Sequence, residues 1–190
     1  MKRSMLLPAA LASMLWTTPA AGRDVGGMDM PETVKAAGTG SPLVLNGAGV
    51  RTRFLVPVYA AGLYLPARTA DAGAVLALAG PRQLLIKVIH REIEREKLVS
   101  AWNDGFTANH DTAAMARLGD RIAAFNGLFD SVRAGDAIQI DFPAGGATRV
   151  SINGRARGEV QGADFAAAVL RIWLGDSPVS GSLKRELLGD

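Results

Sequence analysis

The sequence predicts a single α+β domain, on three observations. Blocks of strand-like pattern alternate with blocks of helical pattern: β-branched and alternating residues dominate positions 43–65 and 83–93, helical stripes fill the middle, and a short meander precedes two closing helices. Hydrophobic residues make up 48% and charged residues 21% of 190, the usage of an ordinary globular chain that can bury a sizeable core. Cysteine is absent, which removes disulfides, thiolate nucleophiles and Cys-ligated metals together. The formal charge is +3 with both signs intermixed, and there is no basic stripe interleaved with aromatics of the kind nucleic-acid binding needs.

Residues 1–21 read as an export signal. Lys2 and Arg3 form a positive start, Met5 to Trp16 a short apolar run containing Pro8, and Thr18-Pro19-Ala20-Ala21 a small-residue cleavage site. The apolar run is too short to span a bilayer comfortably. Cleavage is expected after Ala20 or Ala21, leaving 22–190 as the domain, without a lipid-accepting Cys. Lys2 and Arg3 are the only charges in the leader, so their loss takes the formal charge from +3 to +1. No later apolar run is long and uncharged enough to be a span. The layout points to a bacterial periplasm.

Within the domain, Gly26-Gly27 and Pro31 punctuate a short candidate edge strand, Met28 to Thr33, and 36–42 reads as a Gly/Ser/Pro loop. Leu43 to Arg51 reads as a strand entering a glycine turn at Gly47-Ala48-Gly49. Thr52 to Leu65 reads as two strands or one strongly bent strand, because Pro57 cannot donate to a ladder and must mark an edge, bulge or bend. Thr69 to Leu78 is a short helix with Asp71 near its start, ended by Gly80-Pro81. Alternation over Gln83 to Ile93 sets Leu84, Ile86, Val88 and His90 on the drier face and Leu85, Lys87, Ile89 and Arg91 on the other. Glu94 to Ala108 and Asp111 to Phe129 are helices, the second with a stripe of Met115, Leu118, Ile122, Phe125 and Phe129. A meander (136–142, 147–152 and 158–160, with an Asn153-Gly154 hairpin) and helices at 162–174 and 180–188 complete the chain.

Most familiar chemical motifs fail here. His90 and His110 lie on different predicted elements and outside any HExxH pattern. No GxSxG elbow is present. Gly47-Ala48-Gly49 would need its third glycine at position 52, which is Thr. Glu92, Glu94 and Glu96 fit a solvated surface, and Asp104 fits a helix-end cap. Arg51 stands out, because a guanidinium among apolar and aromatic neighbours must find an anionic or carbonyl partner. That partner is either an internal acid such as Asp104, Asp141 or Asp164, or a ligand carboxylate or enolate held bidentately. Tyr59 and Tyr64 are the phenols placed to join it. His90 is either a satisfied core histidine or a ligand, and Trp102 and Trp173 are core residues that can double as cavity walls.

Leu45-Asn46-Gly47-Ala48-Gly49-Val50-Arg51 followed by Tyr59-Ala60-Ala61-Gly62-Leu63-Tyr64-Leu65 resembles the signature of the chalcone isomerase superfamily. Glu96 to Phe106 and Val169 to Ser180 are similar to its bacterial exported branch, and the likeness spans about Val25 to Gly189. The resemblance implies an open-faced β-sandwich, a large antiparallel sheet with a layer of helices over one face and a cleft between them. It implies that Arg51 lies in that cleft. There the plant isomerases use the matching arginine on a developing phenolate or enolate, and the fatty-acid-binding branch uses it, with a tyrosine, on a carboxylate. The plant pattern is otherwise lost: Tyr59 stands for its threonine, Glu94 and Ala101 for its tyrosine and asparagine, and Ile172 for its late hydroxyl residue.

Two functional classes follow. One is a non-catalytic binder of an apolar or amphipathic anion, fatty acid or haem, with Arg51, Tyr59, Tyr64, His90 and Trp102 as the ligand-binding set. No metal site is expected apart from haem, for which His90 would be the first axial candidate and His110 the second. The other class is an isomerase, an intramolecular lyase on a small enolisable, chalcone-like compound, with Arg51 as stabiliser and His90 or Tyr59 carrying the proton.

Overall fold

The computed structural model describes residues 22–190; the expected export signal, 1–21, lies outside the described residues. Arg23–Val25 (β1) and Met28–Met30 (β2) form a small antiparallel ribbon, turned by Gly26 and Gly27 at positive φ. Thr33–Lys35 (β3) leads into Pro42–Arg53 (β4) and Val56–Leu65 (β5). Ala72–Ala77 (α1) starts at Asp71, whose carboxylate accepts from the Gly73 N–H at 2.8 Å, as a helix N-terminus requires. Arg82–Val88 (β6), Glu92–Ile93 (β7), Arg95–Asn109 (α2) and Thr112–Asn126 (α3) follow. Val132–Arg133 (β8), Ala137–Phe142 (β9), Thr148–Ile152 (β10), Arg155–Val160 (β11), Ala163–Leu174 (α4) and Gly181–Leu187 (α5) complete the order.

Seven strands pair antiparallel in the order β11-β10-β9-β6-β5-β4-β3, the α+β open-faced sandwich expected. The helices lie over one face. Leu84, Ile86 and Val88 on β6 meet Trp102 and Phe106 of α2, the Leu118, Ile122 and Phe125 stripe of α3, and the apolar faces of α4 and α5 in one core. The alternation expected over Gln83 to Ile93 is found as far as Val88, where β6 ends; His90 lies beyond the strand and is exposed. The second face is not bare. Leu43, Leu45, Ala60, Tyr64 and Leu85 are apolar there as well, and Met30, Val25 and Ala36 from the N-terminal segment cover them.

The glycine turn expected at 47–49 does not exist, because both glycines lie inside β4. A Cβ on Gly47 would run into the Glu186 and Leu187 carbonyls, and one on Gly49 into the Glu186 carboxylate. They are glycines so that α5 can lie directly on the strand. Asn46, beside a shift in the β4–β5 register, binds that approach together. Its amide donates to the Leu187 carbonyl at 2.7 Å and the Thr69 carbonyl at 3.1 Å, while its oxygen accepts from the Thr69 N–H at 2.7 Å.

The chain turns instead at Phe54-Leu55. Arg53 pairs with Val56 across a two-residue turn whose central φ values are 49° and 65°, both left-handed. Pro57 sits in β5 before that strand begins to pair with β6, and the β4–β5 register shifts there. The missing proline N–H thus falls where β5 has a neighbour on one side only. The adjacent Val58 carbonyl accepts from both Ile89 N–H (3.0 Å) and His90 N–H (2.9 Å), which fixes the segment after β6 against the hairpin.

Candidate functional site

The hairpin register makes Arg51 and Tyr59 direct cross-strand partners, eight positions apart in sequence. Their side chains stand on the helix-covered face, with the guanidinium carbon 5.8 Å from the ring centroid. Against them pack the first turns of α2. Together they enclose a cavity of about 400 Å³. Its walls are apolar on Val58, Ile93, Leu98 and Val179, and aromatic on Tyr59 and Trp102. Phe54 and Val56 of the hairpin tip reach its mouth, and Arg51, Arg53 and Lys97 are its cations. A second, more polar groove of about 650 Å³ runs on along α2 past Ser100, Asp104 and Ser177. The three cations line both.

None of the acids expected as internal partners takes Arg51. Asp164 is bound at 2.7 Å by Arg121, Asp141 accepts from Gln139 on β9 at 2.8 Å, and Asp104 shares the outer groove without coming within ion-pair distance. Asp104 is also not a helix-end cap, since it lies in the middle of α2. The Arg51 side chain makes no hydrogen bond or ion pair with the described residues, and the Nε1 of Trp102 has no acceptor although Trp102 is 98% buried. A buried donor without a partner carries a free-energy penalty that a bound acceptor would remove.

Tyr59 is held differently. Trp173 Nε1 donates to its hydroxyl oxygen at 2.9 Å, and Trp173 in turn packs on Trp102 with ring centroids 5.4 Å apart. Burial pushes the Tyr59 hydroxyl up to about 12, outweighing the opposing pull of Arg51 and of the Trp173 hydrogen bond. The phenol therefore keeps its proton at neutral pH and can donate it in a hydrogen bond.

The structure brings Arg51, Tyr59, His90 and Trp102 to one cavity and excludes Tyr64. Tyr64 is fully buried on the opposite face of the sheet beneath Met30, where burial with Glu32 and Asp29 nearby raises its pKa. Five positions separate it from Tyr59, an odd number, so the two phenols point to opposite faces. His90 is exposed at the cavity rim rather than satisfied in the core. His110 lies elsewhere, in a surface depression beside α4, with Nδ1 2.9 Å from the Phe106 carbonyl. Arg53 and Lys97 were not singled out by sequence reasoning. Arg53 is two positions from Arg51 on the same strand, a signal that was present; Lys97 arrives through tertiary packing. Ile172 is buried and sits where a Cβ on Gly105 would collide with it, so α2 and α4 pack too closely there for a polar subsite.

Among the described residues no cluster of three or more His, Asp or Glu side chains is placed to hold a metal ion, and no helix is long and apolar enough to cross a membrane. No curated protein sequence matches the chain. The crystal structure of a fatty-acid binding protein from Arabidopsis thaliana superposes with a TM-score of 0.62 at 15% identity, covering 83% of this chain and 96% of that one. The family model described as chalcone isomerase-like matches residues 22–189, nearly all of the described domain, and the chain belongs to that family.

Proposed function

We propose that the protein is an exported, non-catalytic binder of an amphipathic anion, with a long-chain fatty acid as the ligand class. The observation that carries this is the Arg51 guanidinium, free of any internal acid, where an apolar cavity meets a polar groove. A carboxylate would take the guanidinium fork and a hydrogen bond from the unpartnered Trp102 N–H, while an acyl chain lies against Val58, Leu98 and Ile93. The fatty-acid-binding neighbour is consistent with this choice. Export to a periplasm rests on the charge, apolar run and small-residue site within residues 1–21. An isomerase has less support, because the buried Tyr59 holds its proton and the other groups able to move one, His90 and Glu92, are exposed to solvent.

Haem is a second reading, favoured by His90 lining the same cavity as three cations. His90 would be the axial donor and Arg51, Arg53 and Lys97 the propionate partners; bound haem would supply a redox-active iron.

Native mass spectrometry of protein purified without added ligand tests these readings, and its intact mass also reports whether residues 1–21 have been removed. A fatty-acid adduct is expected. Arg51→Ala should weaken oleate binding about ten- to hundredfold, the loss of one charge-assisted contact, with unchanged circular dichroism. Equal affinity in that variant would overturn the Arg51 clamp. A haem adduct lost in His90→Ala would replace the fatty acid reading.

A further inference from the structure

The most exposed large apolar side chains among the described residues are consecutive. Phe54 is 87% exposed, Leu55 95% and Val56 47%, and together they form the tip of the β4–β5 hairpin. Two-residue turns with both central φ values positive usually take Asn-Gly, because side chains crowd the backbone in that region. Phe-Leu occupies it here at φ 49° and 65°. Neither solvation nor backbone preference accounts for these residues. From Pro42 to Arg68 the chain has no carboxylate, while Arg51 and Arg53 stand just behind the tip. Phe54 and Val56 also line the mouth of the Arg51 cavity.

We propose that this tip inserts into the surface of an anionic lipid bilayer and sets the cavity mouth against the membrane. The inference rests on the amphipathic-ligand reading only for what passes through the mouth. Three apolar residues are far too few for a stable protein interface, which takes roughly 20–30 residues a side. They suit the headgroup boundary, where aromatic and aliphatic side chains enter and flanking arginines meet lipid phosphates. Glu92, Glu94 and Glu96 lie on the opposing wall, and Lys97 is paired with Glu94 at 2.9 Å. The hairpin, rather than α2, therefore faces the lipid, and an acyl chain leaving the bilayer along Phe54 and Val56 would carry its carboxylate toward Arg51.

The absence of native cysteine allows a site-specific test. Leu55→Cys in the otherwise full-length chain carries a nitrobenzoxadiazole label, and Ala144→Cys is the control. Ala144 lies on the β9–β10 connection, at the opposite end of the sheet by the strand registers. With vesicles of phosphatidylglycerol and phosphatidylethanolamine, the Leu55 label should blue-shift and brighten several-fold while the Ala144 label stays aqueous. Vesicles of phosphatidylcholine alone should give a weaker response. A Leu55 label that remains aqueous on anionic vesicles overturns the proposal. So does a blue shift without vesicles that grows with protein concentration, which would mean that a second copy covers the tip. Oleate binding by the same labelled protein separates the two ideas. Insertion without oleate binding keeps the docking surface and removes the fatty acid, and oleate binding without insertion does the reverse.

Discussion

Tyr59 and Tyr64 are the chain's two tyrosines, both on β5 and both buried, and burial raises both hydroxyls above their ordinary value of 10.0. The folded protein thus retains two protons that the unfolded chain releases above that value. The two phenols add no pH dependence to stability below pH 10, and above it stability should fall by about 1.4 kcal/mol per pH unit for each tyrosine. Tyrosinate absorbance and circular dichroism, followed together through an alkaline titration, should change in one steep coincident step. Absorbance rising at pH 10 before unfolding would show that a phenol is solvated. The same pair marks what was legible at this scale. Arg51, Tyr59, His90 and Trp102 could be assembled from the sequence, since a charge or polar tip among apolar neighbours marks a lined cavity. Tyr64 shares the strand and the chemistry of Tyr59, but an odd separation of five positions turns it to the other face.

At the scale of elements, the approach of α5 to β4 is the feature that sequence reasoning misread. Asn and glycine together suggest a turn, and the reason for their presence, α5, lies about 140 positions away in the chain. The consequence differs between the two glycines. Gly47 faces backbone carbonyls that cannot move aside, whereas Gly49 faces the Glu186 carboxylate, which can swing away at the loss of its 3.2 Å bond from the Val50 N–H, and the Glu186 Cβ at 2.6 Å, which cannot. Gly47→Ala should destabilise by about 3 kcal/mol or more and Gly49→Ala by about 2 kcal/mol. Urea unfolding of both variants tests the ranking. Helix α3 and strand β6 were legible because their neighbours impose a period, three to four or two, on residues close in sequence.

For the whole molecule, the class and the meander followed from local pattern, but the placement of β6 between β5 and β9 could not, because pairing across α2 and α3 leaves no periodic trace. The cover on the second sheet face was missed for the same reason. Closure of the fold depends on distant segments: α5 supplies Leu183 and Leu187 to the main core and the carbonyl that holds Asn46. Deleting 181–190 should therefore abolish cooperative thermal unfolding, although α5 is only 7 residues long. A truncated chain that melts as sharply as the parent would show that the contact is dispensable. The same arrangement bears on synthesis. The hairpin with its arginines emerges early, α2 later, and Val179 with the strand-clasping α5 last of all. A nascent chain therefore displays its greasy tip and positive charges well before Val179 completes the wall of the cavity behind them and the final helix closes on β4.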